Sequence, residues 1–135
     1  MTPDDLDVMA RTLFGEARGE PLEGKIAVAW VIRNRADHPG WWGSGIAGVC
    51  KQDRQFSCWN ENDPNRAKLL AGTPKDEMFR ECLAAVAAVL SDNVPDPTQG
   101  SMHYKVSTLT WPGDWGPEKE PVLILGNHAF YNNVK

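Results

Sequence analysis

The stretch "GEARGEPLEGKIAVAWVI", residues 15–32, decides how this chain is built. Its second half, Ile26-Ala27-Val28-Ala29-Trp30-Val31-Ile32, is apolar nearly all round a helix. A helix from about Pro21 to Arg35 is therefore expected to be the central, buried one. The first half closes an earlier helix. Thr2-Pro3-Asp4-Asp5 reads as a helix start, with Thr2 as N-cap and Pro3 at the first helical position. Leu6, Met9 and Leu13 then lie along one stripe at 3/4 spacing as far as Ala17. Gly19 supplies the stop, and Pro21 the next first-turn position.

The next position on that stripe is Glu16, whose carboxyl group is thereby aimed inward, in the last turn, at the negative end of the helix dipole. Both effects disfavour the charged form and raise the pKa. A carboxylic acid that keeps its proton near neutral pH can protonate a leaving-group oxygen, as a glycosidase acid must. On residue statistics alone, a glutamate near a helix end is more often a half-exposed boundary residue. Gly15 and Gly19 leave room for another segment or a ligand to approach the backbone. Glu20 precedes Pro21 at the positive end of the second helix, where a carboxylate is favoured as the anion and suits a structural or electrostatic role. Arg18 is expected to pair with one of these acids at the surface.

Outward from this centre, "DHPGWWGSG" is a loop and Ser44 to Lys51 a short helix capped by Ser44. Residues 53–72 are polar and irregular, with a helical turn over Arg66 to Ala71. Thr73-Pro74-Lys75-Asp76 opens another helix, with Phe79, Leu83, Val86, Val89 and Leu90 on one face, ending near Ser91. Ser101 to Val106 reads as a strand, and Val122–Leu125 and His128–Tyr131 flank a Gly126-Asn127 hairpin turn. The expected fold class is α+β, mainly α, with a short C-terminal β-element, in one domain spanning residues 1–135.

A net charge of −4 provides no basic stripe for nucleic acid or an anionic membrane. The longest apolar run, seven residues, is far short of the ~20 that span a bilayer. The acidic N-terminus is unlike a secretory signal. Cys50, Cys58 and Cys82 form no framework, although a single Cys50–Cys58 bridge stays open. The three histidines, 38, 103 and 128, show no ligand spacing, so neither a metal nor another cofactor is expected.

At this point the residues carry a family signal. "RTLFGEARGEPLEGKIAVAWVIRNR" at 11–35 strongly resembles the opening of the SleB-like cell wall hydrolases, the family of the spore cortex-lytic enzyme. "QFSCW" at 55–59, "HY" at 103–104 and "GNHAFY" at 126–131 are similar to its later motifs, so the resemblance runs from about Leu6 to Tyr131. It implies a small lysozyme-like domain related to lytic transglycosylases. It also implies cleavage of peptidoglycan glycan strands between N-acetylmuramic acid and N-acetylglucosamine, with Glu16 as the catalytic acid.

One carboxyl group suffices for the transglycosylase reaction. Glu16 protonates the glycosidic oxygen and then, as a carboxylate, takes the proton of the muramic acid C6 hydroxyl, whose tethered attack gives a 1,6-anhydro product. A second loop carboxylate among Asp53, Glu61, Asp63 and Asp114 would make the chain a hydrolytic muramidase instead. Sugar rings stack on aromatics while their hydroxyls and acetamides need directional partners. Gln55, Phe56, Ser57 and Trp59 supply both kinds of contact, and His103 and Tyr104 are candidates to position substrate or hold Glu16. Glu20, Arg18 and Tyr131 are placed in support, although core packing explains Phe56 and Tyr131 equally well. For Trp41, Trp42, Trp111 and Trp115, loop packing outweighs sugar stacking.

Two rivals belong to other classes. Cys58 with His103 or His128 as base would make a cysteine peptidase or amidase, but "WNENDPN" after Cys58 is a poor helix to lower the thiol pKa. A non-catalytic glycan-binding module would use the loop tryptophans. Without a signal or wall-binding repeat, the expected setting is that of a phage-type endolysin. Such a monomer is made in the cytoplasm, released through a holin or similar route, and acts at the bacterial wall.

Overall fold

The computed structural model describes residues 3–38, 40, 43, 45–51 and 56–134. Helix α1 runs Pro3–Ala17 and α2 Leu22–Asp37; α3 spans Gly45–Lys51, α4 Pro64–Ala71 and α5 Glu77–Leu90. Strands β1 (His103–Val106), β2 (Leu123–Leu125) and β3 (His128–Tyr131) follow, and short 3-10 turns cover Ser57–Trp59 and Gly113–Trp115. The α+β, mainly helical class is the one the sequence pattern implies.

The stripe of α1 does as its spacing requires, with Met9 and Leu13 fully buried and Leu6 packed against the core. In α2, Ala27, Val28, Ala29, Val31 and Ile32 are all at 0% exposure, so the middle of this helix is buried nearly all round. Helix α5 packs across both α1 and α2, with Phe79, Cys82, Ala85, Val86 and Val89 buried. Leu83 and Leu90, on the expected apolar face, pack at its edge. Arg11 closes the end of α4, its Nη1 donating to the carbonyls of Leu69 (2.7 Å), Gly72 (3.0 Å) and Leu70 (3.2 Å). These are the carbonyls that a helix C-terminus leaves without partners.

Local chemistry shifts several expected boundaries. Pro21 is the N-cap of α2 rather than its first residue. The N-cap of α5 is Asp76, which accepts from Met78 N and Phe79 N, so Thr73-Pro74-Lys75 is a preceding turn and not the first turn. Helix α4 begins at Pro64, two residues before the expected turn, because Asp63 accepts from Asn65 N at 2.8 Å. Thr2 and Ser44, expected as caps, lie outside the described residues. Cys50, Cys58 and Cys82 are free and buried, so the bridge left open between Cys50 and Cys58 is not made.

The strands form one antiparallel sheet in the order β1-β3-β2. Leu125 pairs with His128 across the Gly126-Asn127 turn, and Gly126 has φ +59°, as the two-residue hairpin turns require at that position. The C-terminal end of α2 holds the segment leading into β1. Asn34 Nδ2 donates to Asp96 Oδ2 (2.9 Å) and to the Ser101 carbonyl (3.0 Å), and Arg35 Nε donates to the Met102 carbonyl (2.6 Å). The strand that follows is thus fixed relative to α1 and α2. The register gives the sheet two faces, with Tyr104, Val106, His128 and Phe130 on one and His103, Ala129 and Tyr131 on the other.

Candidate active site

The α1–α2 turn is where the sheet meets the helices. After Ala17 the chain reverses through a Glu20 N–H donated to the Ala17 carbonyl at 2.9 Å. Gly19 does not adopt a positive φ, so the turn does not use the left-handed glycine stop expected of it. The buried Lys25 reaches back from α2, its Nζ donating to the Glu20 carbonyl at 2.6 Å, and fixes the turn from beneath. Gly15 serves a close approach. A Cβ there would stand 2.8 Å from both Cβ and Sγ of Cys58, so only glycine lets the 57–59 turn lie on α1.

Glu16 therefore sits half-buried in the last turn of α1, walled by Cys58 on one side and by the sheet on the other. The Tyr104 hydroxyl donates to Glu16 Oε1 at 3.2 Å, and Tyr104 is itself stacked on Phe130 with centroids 5.8 Å apart. Burial pushes the Glu16 carboxyl above the ordinary carboxylate range, and the nearby Asp63 adds to the rise. Hydrogen bonds from Tyr104 and the Cys58 thiol and the charge of Arg35 pull the other way without cancelling it. The result is an acid biased toward holding its proton. It opens onto a groove of about 380 Å³ lined also by Gly19, Glu20, Val106, Asn127 and His128.

Glu20 is arranged differently. Its carboxylate is buried and accepts from Asn127 N (2.8 Å) and Asn127 Nδ2 (3.0 Å), which ties the hairpin turn to the start of α2. His128 Nδ1 lies 3.2 Å from Glu20 Oε1. Arg18, expected to pair with an acid, instead donates to the Phe14 carbonyl and to Asn65 Oδ1, both at 3.2 Å, because α4 and not a carboxylate packs beside it. Its guanidinium also lies over the Phe14 ring.

Of the other expected site residues, Tyr104 is brought to Glu16 and His103 is not. Adjacent strand residues face opposite ways. His103 accordingly packs edge-on against Trp115 (5.1 Å), where burial and the Arg35 charge lower its pKa to about 4. Tyr131 shares that far face in contact with Trp111 and Trp115, which matches loop packing for these two tryptophans. Phe56 is 2% exposed under the Arg35 guanidinium, so its ring fills the core and is closed to a sugar. Trp59 is half-buried, its Nε1 donating to Thr12 Oγ1 at 2.8 Å, which anchors the 57–59 turn to α1. Gln55, Asp53, Trp41, Trp42 and the side chain of Ser57 lie outside the described residues.

Among the described loop carboxylates, Asp63 is the one that raises the Glu16 pKa, although its Oδ1 also caps α4. Asp114 lines a separate depression beside Trp115, and Glu61 is exposed in a turn. Cys58 is completely buried and its thiol is pushed far up by burial and by Glu16, the reverse of what a thiolate nucleophile needs. This removes the physical basis of the cysteine-peptidase reading. Among the described residues, no three His, Cys, Asp or Glu side chains are placed to hold a metal ion, and no helix is long and apolar enough to cross a membrane. The sequence assigns no role to Arg35, and to His128 only that of the base in the cysteine-peptidase rival. The "VIRNR" and "GNHAFY" blocks contain them, but only the packing of α2 on α1 places Arg35 near Glu16, and only the folded sheet places His128 in its groove.

Comparison with known proteins places the chain in a family and a fold. The family model described as Cell Wall Hydrolase matches residues 19–131, a span that includes Glu20 and begins three residues after Glu16. The spore cortex-lytic enzyme of Oceanobacillus iheyensis is 39% identical over 94% of the chain and 41% of its own length. That of Bacillus subtilis is 29% identical over 94% and 37%. The chain thus spans well under half the length of these curated relatives. Among solved structures, the catalytic domain of the germination-specific lytic transglycosylase SleB from Bacillus anthracis superposes with a TM-score of 0.73 at 28% identity, covering 96% of this chain and 95% of that one. The catalytic domain of the Bacillus cereus SleB protein gives the same TM-score and identity, covering 90% of that chain. With its fold shared across nearly the whole of those catalytic domains and its sequence matched from Gly19 to Tyr131, the chain belongs to the cell wall hydrolase family.

Proposed function

We propose that the chain cleaves peptidoglycan glycan strands at the β-1,4 bond between N-acetylmuramic acid and N-acetylglucosamine, acting at the bacterial cell wall as a lytic transglycosylase. Glu16 is the single acid and base. The observation that carries this reading is the Glu16 carboxyl itself, desolvated, hydrogen-bonded by Tyr104 and opening onto the groove. Protonated, it delivers its proton to the glycosidic oxygen as the C1–O bond breaks and positive charge develops at the muramic acid C1. The resulting carboxylate then removes the proton from the C6 hydroxyl of the same sugar, and that oxygen closes on C1. Because the nucleophile is tethered to the electrophile, the protein has to supply neither a second carboxylate nor a bound water.

Tyr104 keeps the Glu16 carboxyl in one orientation through both proton transfers, and Arg35 stabilises its anionic stage electrostatically. A hydrolytic outcome is the second reading, favoured by the influence of Asp63 on Glu16. Mass spectrometry of fragments released from purified sacculi separates the two. Anhydromuramic ends support transglycosylation, reducing muramic ends a muramidase, and freed stem peptides contradict both.

A further inference from the structure

We infer that His128 is the residue that hydrogen-bonds the glycan strand in the groove, presenting Nε2 as an acceptor to a sugar hydroxyl or acetamide N–H. This rests on the glycan-cleaving reading above. His128 lines the same groove as Glu16, yet its side chain is only 9% exposed and Nδ1 is shut off from solvent with no hydrogen-bond partner. The part of the ring that meets the groove is therefore the opposite edge, which carries Nε2.

The surroundings fix the ring. Tyr104 packs against it edge-on at 5.1 Å and Phe130 at 6.3 Å, so it is held between the acid's partner and the core. Behind it, Glu20 Oε1 lies 3.2 Å from Nδ1, and that carboxylate is anchored by two bonds from Asn127. A carboxylate this close to Nδ1 favours the tautomer that carries its proton there, which leaves Nε2 as the acceptor. Burial favours the neutral ring, so Nε2 keeps its lone pair and recognises a donor. Both sugars of the strand carry hydroxyls and an acetamide N–H, whereas the stem peptides are not required for this contact.

The test uses a soluble, peptide-free tetrasaccharide of alternating N-acetylmuramic acid and N-acetylglucosamine, titrated against Glu16→Gln by intrinsic tryptophan fluorescence. Adding His128→Asn, which keeps an amide near the Nδ1 position and loses the outward acceptor, should weaken Kd about ten-fold, as loss of one hydrogen bond implies. Adding His128→Gln, whose amide reaches the Nε2 position, should weaken it by no more than about three-fold. In the wild-type background, His128→Asn should raise KM with kcat nearly unchanged. Equal affinity in all variants overturns the inference, as does a His128→Gln loss as large as that of His128→Asn. If Glu16→Gln binds the tetrasaccharide as described but the wild type never cleaves it, the catalytic reading fails and the role of His128 stands.

Discussion

The Tyr104 hydroxyl donates to Glu16 Oε1 across 3.2 Å, joining the first strand of the sheet to the last turn of the first helix. Residues 88 positions apart thus share one hydrogen bond at the mouth of the groove. The bond favours the charged form of Glu16, while burial favours the neutral form and prevails.

Removing that hydroxyl should move the pH dependence of catalysis in a defined direction. A general acid must be protonated, so kcat/KM falls as pH rises through the Glu16 pKa. Tyr104→Phe deletes an interaction that lowers this pKa, so the alkaline limb of the profile should shift to higher pH. The loss of positioning should also reduce kcat about ten-fold or more. A pH–rate series on a soluble glycan fragment checks both; an alkaline limb displaced to lower pH contradicts the assignment.

Stability should respond to Glu16 in the opposite sense from activity. Its folded pKa lies above the ordinary 4.5, so the folded state binds the proton more tightly than the unfolded state does. The favourable contribution is complete below pH 4.5 and is lost as pH rises through the folded value. Glu16→Gln, which is neutral throughout and can still accept from Tyr104, should therefore raise Tm at pH 7 and give no such gain near pH 4. Thermal unfolding at the two pH values measures the difference.

The hairpin clamp is open to a separate test. Glu20→Ala leaves Asn127 N without its acceptor and removes two charge-assisted bonds, which should cost about 2–4 kcal/mol in urea unfolding. Gly126→Ala should destabilise as well, because φ is +59° and the new Cβ would stand 2.7 Å from Glu20 Oε1. A variant at either position as stable as the parent would mean that the α1–α2 turn does not hold the sheet.

Cys58 distinguishes a structural thiol from a nucleophile. Its side chain is buried against Gly15 and hydrogen-bonded to Glu16, so Cys58→Ala should keep glycan-cleaving activity within about ten-fold. A cysteine peptidase would lose all turnover on this change, and release assays with sacculi tell the two apart.

The legible part of the fold is what local periodicity and turn chemistry determine. Leu6, Met9, Leu13 and Glu16 share a face because a helix returns every 3.6 residues, and that geometry turns the Glu16 carboxyl inward without knowledge of its neighbours. Gly126-Asn127 marked the hairpin because that turn needs a positive φ. Asp76 as the cap is not legible in the sequence, because Thr73 and Pro74 offer an equally good local signal and only the packing of α5 on α1 selects between them. The partners of Arg18, Arg35 and His128 were not legible, since Asn65, Met102 and Glu20 are brought to them by tertiary contacts. The sequence offers His103 and Tyr104 side by side, and strand alternation divides them between opposite faces of the sheet.

Whether Glu16 is the catalytic acid is read from the rate at which Glu16→Gln solubilises purified sacculi, followed as loss of turbidity beside the wild-type protein. A fall of about 10²–10⁴-fold, the usual contribution of one general acid, is expected with circular dichroism unchanged. Lysis by Glu16→Gln at the wild-type rate would contradict it.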